Sequence, residues 1–98
     1  MNSSLHTELW TSWASLLRSY AAAHGLNTHQ FAVIEFGEDE IVVRYGSKWV
    51  RFTHDGVESS EGITSAFALH EDGTVSIGAE TDEMDMAAER ITRTLMFS

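Results

Sequence analysis

The sequence predicts an α+β domain: an N-terminal helix, a five-stranded antiparallel meander and a C-terminal helix, with both helices packed on one face of the sheet. Three observations carry this expectation. Apolar residues recur at helical spacing near both ends of the chain, they alternate with polar residues between, and the middle runs follow one another too closely for crossover helices.

In residues 4–24, Leu5, Leu9, Trp13, Leu16 and Tyr20 stand at steps of four, four, three and four, the period of a helix with one buried face. Gly25 is a natural stop. Trp10, Leu17 and Ala21 widen the apolar arc beyond the roughly 100° that covering a sheet requires, so something besides the sheet is expected to cover that flank.

Five β-rich runs follow, at 31–36, 41–45, 48–53, 63–70 and 74–79, each bounded by Gly, Asp or Asn, in a chain without proline. Residues 54–62 read as the longest and most mobile loop. A two-residue Gly46-Ser47 turn pairs Val43 with Val50 and Ile41 with Phe52 on one face. A three-residue turn, Glu71-Asp72-Gly73, pairs Leu69 with Val75 and Phe67 with Ile77, whereas a two-residue turn would set Leu69 against Ser76. The last segment opens at Thr81 or Asp82 and places Met84, Ala88, Ile91 and Leu95 on one helical stripe. Residues 1–98 are thus expected to form a single domain.

Composition narrows the function classes. No cysteine is present, which removes disulfides, thiolate chemistry and thiolate zinc sites. No apolar run approaches the roughly 20 residues that span a bilayer, and no secretory signal opens the chain. A cytoplasmic protein with no membrane association is the default expectation. The net charge is −9, and residues 58–98 hold two Lys/Arg against nine Asp/Glu. That field disfavours direct nucleic-acid binding and favours a basic protein partner.

Motifs for chemistry are missing. The five histidines have no ligand spacing: His6 and His24 lie about 27 Å apart along one helix, and His54 and His70 sit at turns. Glu80, Asp82, Glu83 and Asp85 coincide with the expected start of the last helix, where carboxylates stabilise the macrodipole. Neither a nucleophile elbow nor a phosphate-binding glycine loop occurs. No catalytic, metal or cofactor-binding residue is therefore assigned, and no enzyme activity is expected.

The more specific signal is the other sheet face. The register sets Glu35, Val42 and Arg51 in one cross-strand row and Val33, Arg44 and Trp49 in the next. Arg44 and Arg51 thus share a face with Trp49, either as ordinary sheet cover, with Arg44 stacked on Trp49 and paired to Glu35, or as an interface. The function expected is a non-catalytic interaction module of adaptor, chaperone or inhibitor type, binding a protein partner or itself as a homodimer. Its contact residues would be Arg44, Trp49, Arg51 and Val33 on the sheet, or Trp10 and Leu17 on the helix flank, with Trp49 substantially exposed. Two other classes fit: an acidic nucleic-acid mimic, and a ligand-binding domain or enzyme with a pocket between sheet and helices, using His54 or His70.

Overall fold

The computed structural model describes residues 3–26, 28 and 30–97. Helix α1 (Ser3–Gly25) is followed by seven strands: β1 (Val33–Phe36), β2 (Glu40–Tyr45), β3 (Lys48–Thr53), β4 (Gly56–Ser59), β5 (Thr64–Leu69), β6 (Thr74–Ile77) and β7 (Glu80–Glu83). Helix α2 (Met84–Phe97) closes the chain. The strands form one antiparallel meander in the order β1 to β7.

Five strands were expected and two more are present. The segment read as a mobile loop contains β4, which pairs with β3 through Val50–Ser59, Arg51–Glu58 and Phe52–Val57 and with β5 on its other side. Its ladders are made by main-chain groups, so its single apolar residue, Val57, left no alternation to read. The acidic run read as a helix start is mostly β7, an edge strand paired with β6. Only Asp85 falls in the first turn of α2, and the Met84 amide donates to the Gly73 carbonyl.

The expected registers hold. Val43 pairs with Val50 and Ile41 with Phe52, and Leu69 pairs with Val75 and Phe67 with Ile77. The first hairpin turns at Gly46, φ 62°, with no positive φ at Ser47, the pattern of a type II′ turn with glycine in its first central position. In the second, Asp72 accepts hydrogen bonds from the Thr74 amide at 3.0 Å and the Thr74 hydroxyl at 2.6 Å. Those bonds, the hydroxyl's first, hold its carboxyl below the ordinary value.

Ile41, Val43, Val50, Phe52, Phe67, Leu69 and Val75 are buried with Trp13, Leu17, Met84, Ala87 and Ala88 in one core, and Ile77 packs at its margin. At its centre Trp13 meets Phe52 edge-on at 5.4 Å, and Phe67 lies 5.7 Å from Trp13 and 5.1 Å from Phe52. Helix α1 packs more extensively on α2 than on any strand. Tyr20 donates to Asp85 at 2.8 Å and His24 lies 3.2 Å from Glu89, so the two helices run locally in the same direction. The bond to Asp85 raises the Tyr20 phenol above its ordinary value.

On the inner face of β4 the helices leave room: Val57 is only partly buried against the core, whereas Ile41, Val43, Phe52, Phe67 and Val75 of other strands are buried.

Candidate interaction surface

The outer sheet face carries the expected rows: Val33, Arg44 and Trp49 pair across β1, β2 and β3, as do Glu35, Val42 and Arg51. Its charges are internally matched. Arg44 hydrogen-bonds Glu35, while Arg51 donates to Glu40 at 2.6 Å and Glu58 at 2.8 Å. Those two bonds, Glu40's first, raise the Arg51 guanidinium above its ordinary value. Exposed pairs of this kind add little stability, but they fix both side chains across neighbouring strands.

Two expectations about this surface need correction. Trp49 is only partly exposed, because its strand is flanked by β4, whose following residue Ser60 bonds the Trp49 main chain through both its own amide and its hydroxyl. No stacking of an arginine on Trp49 occurs among the described residues. The flank at Trp10 and Leu17 is not a surface either: Trp10 is 3% exposed and Leu17 is fully buried. Helix α2 packs along α1, and Trp10 is covered by the β1–β2 turn and His54. The Trp10 indole also donates to the Gly37 carbonyl at 2.8 Å and lies 4.3 Å from the His54 ring.

What sequence reasoning missed is the edge of the sheet. The Gly37 amide donates to the Glu40 carbonyl at 2.9 Å, continuing the β1–β2 register by one pair. Hydrogen-bonded and non-hydrogen-bonded pairs alternate along an antiparallel ladder. Val33 and Glu35 therefore bond β2, while the N–H and C=O groups of Ile34 and Phe36 point away from it. Strand β1 ends the sheet, and among the described residues no backbone group bonds that outer edge.

Large apolar side chains frame this edge: Phe31 is 75%, Val33 56% and Phe36 46% exposed. No lysine or proline protects it. The opposite edge, β7, carries Glu80, Asp82 and Glu83, charges of the kind that keep an edge from pairing. At one end of β1 the turn to β2 presents Glu38, Asp39 and Glu40, all exposed.

The histidines do not converge on a site. His54 donates to the Glu38 carbonyl at 2.6 Å beside His6 and Trp10; His70 bonds Ser76 at 2.7 Å; His29 lies outside the described residues. Among the described residues no group of three or more His, Asp or Glu is placed to hold a metal ion, and no helix is long and apolar enough to cross a membrane. Comparison with protein-family models, curated proteins and solved structures finds no match.

Proposed function

We propose that the protein is a non-catalytic interaction module that binds another protein by adding an extended segment of it to the sheet at β1. The observation that carries this reading is the open outer edge of β1, with the backbone groups of Ile34 and Phe36 aimed outward among exposed Phe31, Val33 and Phe36. In strand addition, main-chain hydrogen bonds supply affinity and alternate side chains supply selectivity. The segment is basic, because it runs past Glu38 and Asp39 on a chain of net charge −9. That same charge opposes pairing with a second copy.

The outer-face residues take graded parts. Val33 lies on β1 itself. Arg44 stands two strand spacings, about 10 Å, from an added strand, within reach of a long side chain. Trp49 and Arg51 stand one strand farther. The mimic reading draws less support, because Arg90 sits 2.8 Å from Asp82 and Arg93 sits 3.5 Å from Glu89, interrupting the acidic surface with both cations of the C-terminal part.

Peptides alternating lysine with valine, and glutamate with valine, test the proposal. The lysine peptide should bind saturably, more weakly as salt rises, and the glutamate peptide should not compete. Phe36→Pro removes an outward amide without touching a β1–β2 bond, since proline is tolerated on edge strands; it should weaken binding about tenfold or more, while Phe36→Thr retains most of it. Equal binding of the acidic peptide, or full binding by Phe36→Pro, would overturn the reading. A doubled solution mass without peptide uptake would assign the edge to a second copy instead.

A further inference from the structure

A cavity opens between the sheet at β4 and helix α2. Val57, Ile63, Ile77, Ile91 and Leu95 line it together with Phe52, and its volume is about 300 Å³. One wall is the inner face of β3 to β6, and the other is the side of α2 bearing Ile91 and Leu95. Ile63, on the β4–β5 turn, stands at the mouth with 60% of its surface exposed and extends the apolar lining outward.

We propose that this trough binds one uncharged, largely apolar small molecule, with the Ser65 hydroxyl as its polar anchor. The volume lies at the lower end of small-ligand pockets. Strand addition is excluded here, since β4 and β5 are paired on both sides and have no main-chain edge to offer. That leaves a compact molecule recognised by its apolar surface.

Charge on the lining argues for a neutral ligand. Arg90 is held by Asp82 at 2.8 Å and lies 4.0 Å from Glu80, and Glu58 is held by Arg51 at 2.8 Å. Lys48 and Glu61 also line the trough, so its charged side chains are two of each sign and favour neither an anionic nor a cationic headgroup. Ser65 faces inward beside Val57 and Phe67, and its hydroxyl hydrogen-bonds no described residue, so one donor or acceptor on the ligand finds a partner there.

N-phenyl-1-naphthylamine, a neutral apolar fluorophore, is the direct probe. It should bind at one site per chain with enhanced fluorescence, and decanol should displace it at lower concentration than decanoate. Ser65→Leu fills the floor and Thr94→Trp blocks the mouth from an exposed position on α2; each should weaken probe binding about tenfold or more with an unchanged circular dichroism spectrum. Phe36→Pro, which disables the β1 edge, should leave probe binding intact, so this site and the edge stand or fall separately. No saturable binding, unchanged affinity in both filled variants, or one probe per two chains with a doubled mass would overturn the proposal.

Discussion

Replacing Trp13 with alanine is expected to cost about 3 to 5 kcal/mol of folding stability. The side chain is fully buried and joins α1 to the sheet through Phe52 and Phe67. Domains of this size are stable by roughly 5 to 15 kcal/mol in all, so the variant should melt about 15 to 30 °C lower or fail to fold. A conservative replacement separates shape from polarity. The Trp13 indole N–H has no acceptor among the described residues, and leaving such a group buried costs about 1 to 3 kcal/mol. Trp13→Phe should therefore cost far less than the lost ring area alone implies. Equal losses in Trp13→Ala and Trp13→Phe, measured by thermal denaturation, would show that the indole N–H is satisfied and the ring indispensable.

Phe52→Ala is expected to cost a comparable 3 to 5 kcal/mol, for a related but separable reason. Phe52 is fully buried where β3 faces Trp13 and Phe67, so its loss opens a cavity that close-packed neighbours fill only partly. Aromatic pairs at these separations contribute about 0.5 to 1.5 kcal/mol beyond area burial. The double variant should therefore lose less than the two single losses added together, by about that amount. Strict additivity in urea unfolding would mean that the two rings pack independently.

The sequence showed most clearly whatever had to alternate. Ile41, Val43, Val50 and Phe52 could share a core face only in one register, as could Phe67, Leu69, Val75 and Ile77, and that constraint located both hairpins. β4 escaped notice because Gly56, Glu58 and Ser59 carry no apolar signal, and its place in the sheet is set by backbone bonds to both neighbours. β7 escaped because Glu80, Thr81, Asp82 and Glu83 suit a helix start as well as a charged edge. The first of these omissions had a consequence for function. The trough is lined by Val57, Ser59 and Ile63, so it could not be located while residues 54–62 read as a loop.

The contact surface was legible in part for the same reason. Alternation assigned Val33, Arg44, Trp49 and Arg51 to one face, and the structure brings them together there. Which residues stand exposed depends on strand order and helix placement, which one sequence does not encode locally. Trp10 and Leu17 looked available because nothing along the chain announces that α2 lies against α1 or that Gly37 and His54 lie against Trp10. Phe31 and Phe36 stood only as the ends of a β-rich run, because an edge strand and a central strand share the same alphabet.

Amide hydrogen exchange at β1 tests the edge directly. In the protein alone, the amides of Val33 and Glu35 should exchange slowly, held by β2, while those of Ile34 and Phe36 exchange quickly. On saturation with the lysine–valine peptide, Ile34 and Phe36 should become protected and the amides of β7 should not change. Protection of Ile34 and Phe36 in the free monomer, or peptide binding that leaves both exchanging quickly, would contradict strand addition at β1.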